Sequence, residues 1–521
     1  MTSTGKAAAN EAPDDDLRVL HAMGYAQELS RRLGRFSNFA ISFSIICILA
    51  GGVNSLAQAT SGTGGAAIGL GWPLGVVISA VFGLTMAQIA SAFPTAGGLY
   101  HWGSILGNRF SGWLTAWFNL LGLVTVLGSI NVGAYSFFMG AFGPALHLTD
   151  TMTTLVWFLA MLTVLQALIN AYGISATARL TDFSGYLIFG TSLLIAIVCL
   201  THTRHFDLTR LWRFANYSGS AGGDVWPHVS ASWVFMLGLL LPIYTVTGYD
   251  ASAHTSEETR NATLAVPRAI ISSIVWSGVF GYLFLVSFLL MVPDLDQAAR
   301  QGWNVFFWAL EQRVPMRTRE ALYALIFLAQ VLCGLATVTS TSRMMFAFAR
   351  DGGLPAAKLL ARVSPHHRTP VAAIWVGAIL SLFFVWAAKW LENGGTPVYS
   401  VVVSCTVIFI FFSYAVPIAL GLIAYGGPKW PRMGPWSMGR AGFSLFAVLS
   451  MLAMIVIFVI GVQPPNQLAL NVTIGFLILT ALVWFAFERR RFQGPPVGAA
   501  IAQRQAQIAA AEAALLVKAS V

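Results

Sequence analysis

Charge is what this chain has least of. Only 10% of its 521 residues are Asp, Glu, Lys or Arg, and none of these occurs from Phe36 to Asn108, from Phe110 to Thr149 or from Ala441 to Phe487. Uncharged runs of such length exclude an ordinary water-soluble globule. Cysteine is scarce too: Cys47, Cys199, Cys333 and Cys405 all fall inside apolar segments, so neither a disulfide framework nor a metal site is legible. No HExxH motif is present, and the one adjacent histidine pair, His366-His367, has no Cys or carboxylate close by, which argues against a membrane-embedded enzyme. No cofactor is implied. Long polar stretches are missing between the tails, where the widest gaps (202–230, 293–320 and 349–369) leave no room for a soluble domain. Any chemistry must therefore take place within the membrane. The short apolar core and cleavage pattern of a signal peptide are absent as well, and the first apolar segment reads as a retained span.

What the chain does have is hydrophobic residues, 57% of the total, with a mean hydropathy of +0.71. A bilayer offers backbone groups no water, so long apolar runs must be helical. Dividing them at Gly, Pro and polar clusters gives twelve helices at about 37–60, 70–93, 110–141, 152–172, 182–201, 231–254, 268–292, 321–348, 370–388, 397–424, 443–463 and 467–487. With the amino terminus inside the cell, 22 of the 30 lysines and arginines fall on that side, so both termini are expected in the cytoplasm. The same bias accounts for the net charge of +10 without a nucleic-acid partner. Residues 1–28 read as a disordered cytoplasmic tail, 29–490 as the twelve-helix domain and 491–521 as a second cytoplasmic tail.

Two places break the apolar pattern. Gly51-Gly52-Val53-Asn54 interrupts the first span, and in the sixth Thr247-Gly248-Tyr249-Asp250 ends an uncharged run from Val225. An acid within a span is expensive to bury and marks a functional site. Breaks five helices apart predict five-plus-five inverted repeats, about 37–201 and 231–424, with the helices at 443–487 added outside. In that reading N–H groups near Gly51, Gly52 and Asn54 receive a substrate carboxylate, while carbonyls freed in the sixth helix take an amino group beneath Tyr244 and Tyr249. The competing reading makes the glycines small residues for close packing and Asp250 a partner of freed backbone. His254, four residues after Asp250, shares its helical face and is placed to exchange a proton or simply to pack.

Four stretches carry a resemblance: residues 27–44 (QELSRRLGRFSNFAISFS), 93–102 (FPTAGGLYHW), 247–259 (TGYDASAHTSEET) and 342–355 (SRMMFAFARDGGLP). In this order they are similar to the signatures of the amino acid-polyamine-organocation superfamily, most of all its amino acid, GABA and choline permease branch. The resemblance implies an all-α polytopic fold with discontinuous first and sixth helices, in the plasma (cell inner) membrane. It puts Gly51, Gly52, Asn54, Tyr244, Thr247, Gly248 and Tyr249 at a substrate site and Asp250, where related permeases often carry Glu, at a coupling gate with His254 and Glu258. Glu257 and Glu258 lie at the cytoplasmic end, where an inner-gate or salt-bridge role with Arg268 or Arg343 competes with simple solvation. Thr337, Thr341 and Ser342 resemble the sodium site of sodium-coupled relatives, although such hydroxyls commonly bond their own helix, and the fifth helix lacks the lysine that replaces sodium in some proton-coupled ones. Proton and sodium both stay open as coupling ion. The implied cargo is a small amino acid or amine, GABA-like amino acids foremost, with choline, ethanolamine or polyamine transport and amino acid exchange as alternatives.

Overall fold

A computed structural model describes residues 15–390, 398–464 and 466–496, with residues 501, 503, 504, 508, 509 and 512 further on. Among the described residues the chain is helical, and its strand-like pairing is limited to the isolated bridges Leu33–Thr259 and Tyr425–Trp430. The spans are α1a (Arg35–Ile46) and α1b (Ile48–Asn54), α2 (Trp72–Ala92), α3 (Arg109–Phe142), α4 (Met152–Ala171), α5 (Ile174–Thr201), α6a (Ala231–Gly238, continued by Leu240–Thr245), α6b (Ala251–His254), α7 (Ala262–Met291), α8 (Met316–Arg350), α9 (Val371–Trp390), α10 (Val398–Ala424), α11 (Gly439–Gly461) and α12 (Gln467–Val483). Among the described residues ten helices are long and apolar enough to cross a bilayer, and the pieces Ala231–Thr245 and Val371–Ala387 are shorter.

The interior is built on α3 and α8, which lie along each other, with α10 against α3 and α7 against α2, α5 and α1a. α11 and α12 sit at the margin and expose Leu445, Leu452, Ile455, Leu479 and Leu482, an apolar surface suited to lipid.

Several helices outrun the sequence-based limits. α5 begins at Ile174 and α7 at Ala262, ahead of the expected 182 and 268, because Arg179, Asp182 and Arg268 continue the first turns at the membrane edge, where long side chains reach polar surroundings. The larger correction concerns the amino-terminal tail. Residues 15–22 form a helix whose Leu20 and Asp16 are buried, and Tyr25 is 3% exposed. Asp16 caps the start of α7, accepting from the N–H groups of Asn261 and Ala262 at 2.6 and 2.9 Å. The segment therefore belongs to the packed body; residues 1–14 lie outside the described set.

Candidate functional site

Both interrupted helices are present, and the first breaks four residues before the expected place. Cys47 adopts a left-handed conformation (φ 31°, ψ 76°) between α1a and α1b, a strain of roughly 1–3 kcal/mol for a residue with a Cβ. The Cys47 carbonyl takes the N–H groups of Ala50 and Gly51 at 2.8 and 3.0 Å. Ile48 and Leu49 thus carry the amides left over at the helix start, and the Gly51 to Asn54 stretch is helical. Gly51 serves close approach: a Cβ there would stand 2.8 Å from the Thr245 Cα. Gly52 faces the Phe284 ring, away from the break.

In the sixth span the chain leaves the helix at Val246 and resumes at Ala251. Gly248 supplies the required turn with φ 92°, and a Cβ would lie 2.4 Å from Ile45 Cγ2. Neighbouring helices satisfy the freed backbone, as burial demands. Ser79 Oγ donates to the Val246 carbonyl at 2.9 Å, Ser42 Oγ to the Tyr249 carbonyl at 2.9 Å, and the Gly248 N–H reaches the Tyr414 hydroxyl at 3.3 Å.

A cavity lies where the two interruptions meet. Its wall comprises Ile45, Ile46, Ala50, Gly51 and Asn54 from α1, Val126 and Ile130 from α3, and Tyr244, Thr245 and Thr247 from α6, and in this closed arrangement its free volume is about 20 Å³. Among the described residues no charged side chain lines it. Tyr244 shares a hydrogen bond of 2.8 Å with Ser129, which fixes its ring over the opening. Of the expected substrate residues, Gly51, Asn54, Tyr244 and Thr247 line this wall; Gly52, Gly248 and Tyr249 do not. Tyr249 is fully buried with its ring 5.1 Å from that of Tyr414.

Asp250 stands behind the cavity, fully buried. Tyr414 donates to its Oδ1 at 2.7 Å and Asn119 to its Oδ2 at 3.0 Å, while His254 Nε2 lies 3.2 Å from Oδ2. The acid is thus held by side chains of α3, α6b and α10, not by the backbone of the break. The His254 Nδ1 faces the Ala96 carbonyl at 3.3 Å. A carbonyl only accepts, so Nδ1 carries a hydrogen and the Nε2···Oδ2 contact holds a single proton, written either as aspartate with imidazolium or as carboxylic acid with imidazole.

Beyond this pair the face carrying Tyr25 and Arg491 is closed. Arg343 and Glu258 are fully buried and doubly bonded, Nε to Oε2 at 3.0 Å and Nη2 to Oε1 at 3.1 Å; Arg268 makes no ion pair among the described residues and is exposed. Arg350 clasps Glu257 at 2.9 and 3.2 Å and stacks 4.0 Å over the Tyr25 ring. A second buried cluster, missed by the sequence reading, joins three distant segments: Asp351 Oδ2 accepts from Tyr25 at 2.7 Å and Tyr100 at 3.0 Å and meets His101 Nε2 at 3.3 Å. Burial pushes the Tyr25 hydroxyl up, so it remains a donor. The expected ion-site hydroxyls each return to their own helix: Thr337 to Cys333 O, Thr341 to Thr337 O and Ser342 to Thr339 O, at 2.8 to 2.9 Å.

A helical membrane bundle with two interrupted spans, a small uncharged cavity between them and a closed ion-paired face below has the architecture of a membrane transporter. Residues 33–487 match the family described as Amino acid permease, and the chain belongs to that family, in agreement with the superfamily resemblance of its four motifs. It is 31% identical to the amino-acid permease BAT1 of Arabidopsis thaliana, covering 91% of this chain and 95% of that protein. The BAT1 homolog of Oryza sativa is also 31% identical, over 91% and 94% of the two chains. The GABA-specific permease of Saccharomyces cerevisiae is 25% identical, over 92% and 86%.

Proposed function

We propose that this chain carries a small neutral amino acid, GABA-like amino acids foremost, across the plasma (cell inner) membrane by alternating access at the cavity between α1 and α6, in step with a proton at the Asp250–His254 pair. Both termini lie in the cytoplasm in this reading, which the placement of 22 of 30 basic residues on that side supports. The observation that carries the proposal is an unbroken series of contacts from cavity to closed face. Thr247 lines the cavity; the next N–H, of Gly248, meets the Tyr414 hydroxyl, which donates to Asp250. Asp250 meets His254, His254 the Ala96 carbonyl, and the Ala96 N–H the Glu257 carboxylate at 3.1 Å. Loss of the shared proton would leave a buried negative charge, so the protonated pair favours the closed arrangement and the deprotonated pair a hydrated, open one.

The cavity wall supports a zwitterion over an organic cation. With no acid in the wall and Tyr244 as its one aromatic ring among the described residues, a choline-like cation would bring an uncompensated charge and find no aromatic cage. An amino acid brings both charges and so enters an uncharged wall with its own counter-charge.

The test is radiolabelled uptake into proteoliposomes under an imposed proton or sodium gradient, with GABA, neutral amino acids and choline competing. Accumulation driven by an inside-alkaline gradient and lost in Asp250→Asn is the expected result. Sodium-driven accumulation, or gradient-independent exchange equal in both proteins, would overturn the coupling role.

A further inference from the structure

Five arginines surround one open pocket on the tail-bearing face: Arg31 and Arg32 ahead of α1a, Arg179 in the first turns of α5, Arg260 ahead of α7 and Arg368 ahead of α9, around about 1280 Å³. The one acid in the wall is Asp182, whose Oδ2 accepts from Ser37 at 3.0 Å. Among the described residues Arg31 alone of the five forms an ion pair, with Asp16 at 3.4 Å. Arg32 donates to Ser175 Oγ at 3.3 Å, Arg179 to the Ser175 carbonyl at 3.2 Å and Arg368 to the carbonyls of Gln27 and Glu28. The Arg260 guanidinium bonds no other described residue. A general inward bias of positive charge explains arginines on this face but not their convergence on one space, where like charges repel.

A second space lies further along α1a and α5. Phe36, next to Ser37 in the chain, lines an apolar groove of about 710 Å³ with Phe39, Phe189, Trp276 and Phe280. α5 connects the two, from Arg179 and Asp182 at the pocket to Phe189 at the groove, a rise of roughly 15 Å over ten residues. Trp276 is 47% exposed on the outer surface of the bundle, where the bilayer lies. Charge and shape together fit one occupant: a phosphate group with acyl chains attached.

We propose that an anionic phospholipid binds this site, its phosphodiester in the arginine pocket and an acyl chain along the Phe36–Trp276 groove. Guanidinium forks match phosphate oxygens in pairs, and a bilayer surface bearing anionic lipid attracts juxtamembrane arginines. The site is separate from the transport cavity, and its occupancy does not depend on what the transporter carries.

Native mass spectrometry of the detergent-solubilised full chain, titrated with dioleoyl phosphatidylglycerol and dioleoyl phosphatidylcholine, tests the proposal. One retained phosphatidylglycerol, preferred about tenfold or more over phosphatidylcholine, is expected. The triple variant Arg32→Ala, Arg179→Ala, Arg260→Ala should lose that preference, while Arg32→Lys, Arg179→Lys, Arg260→Lys keeps most of it and shows that the fold survives. Trp276→Ala with Phe280→Ala should weaken retention of phosphatidylglycerol at an intact arginine pocket. Equal retention by wild type and the alanine triple variant would overturn the site. Displacement of the lipid by millimolar inorganic phosphate, with no effect of the groove variant, would overturn the lipid in favour of a soluble phosphate.

Discussion

Removing Arg343 tests how the inner face is held shut. Its guanidinium and the Glu258 carboxylate are both fully buried and joined by two hydrogen bonds, so Arg343→Met leaves a carboxylate without its counter-charge in a dry interior. Breaking one side of such a pair is worth about 3–5 kcal/mol, or roughly two to four orders of magnitude in the ratio of closed to open forms. The protein can escape this cost by opening and hydrating Glu258. The reporter is already in the fold: the Leu33 N–H donates to the Glu258 carbonyl at 2.8 Å, and the Arg260 N–H to the Leu33 carbonyl at 3.0 Å. Hydrogen exchange by mass spectrometry should show peptides containing Leu33 and Arg260 losing protection together in Arg343→Met, with net uptake reduced. Adding Glu258→Leu removes the stranded charge, and apolar replacement of a whole buried pair is often neutral or stabilising, so the double variant should recover protection. A double variant as exposed as the single one would refute the argument, because the effect would then come from lost packing and not from an unpaired charge.

Three further outcomes follow from the geometry. Gly51→Ala should abolish uptake because its Cβ meets the Thr245 backbone at 2.8 Å, whereas Gly52→Ala, with only the Phe284 ring at 3.4 Å, should transport near the wild-type rate; transport assays at matched membrane expression decide it. Tyr414→Phe removes a donor to Asp250 and an acceptor for the Gly248 N–H; hydrogen bonds to charged groups contribute about 1.5–3 kcal/mol, so proton-driven uptake should fall roughly 10- to 100-fold, while unchanged accumulation would remove Tyr414 from the coupling series. Asp351, beyond the end of α8, is held below the usual carboxylate range: burial acts to raise it, but hydrogen bonds from His101 and Tyr25 and the charges of His101 and Arg350 outweigh that. Its stabilising share is then full above the ordinary carboxylate value of about 4 and is lost only as pH falls further. Protection of Tyr25-containing peptides, corrected for intrinsic exchange, should hold from pH 8 to pH 5, and a decline within that range would contradict this.

The apolar runs made the helices, their approximate limits and the presence of two interruptions legible, because the bilayer penalty acts on stretches that a reader of composition can see. The exact turn in the first helix was hidden for a physical reason. Glycines mark where a bend is inexpensive, yet here the bend sits on Cys47, and Gly51 is needed instead for the approach of α1b to Thr245. Asp250 stood out as a lone acid, but its partners Asn119 and Tyr414 lie about 130 residues before and 160 after it, and a single polar residue in an apolar run does not announce which helix it faces. Ser129 under Tyr244 is concealed in the same way.

The tail-side closure shows why local signals run out there. Tyr25 seemed part of a polar tail with little to bury; it becomes ordered because Asp351 and His101 offer it two hydrogen-bonding partners and Arg350 covers its ring. The contacts join three segments: Tyr25 before the first span, His101 between α2 and α3, and Arg350 and Asp351 at the end of α8. A cluster of that kind exists only when the three segments meet, and the Leu33 N–H to Glu258 carbonyl bond ties residues 25–33 to the turn that carries Glu258, so it can act as a latch in which Tyr25 leaves Asp351 together with Glu258 leaving Arg343. Tyr25→Phe alone should therefore loosen the same Leu33 and Arg260 amides that Arg343→Met exposes, by a smaller factor because only a hydrogen bond is lost. If those amides keep their wild-type protection while peptides around Tyr25 itself exchange faster, the two sets of contacts open independently and the latch is not one unit.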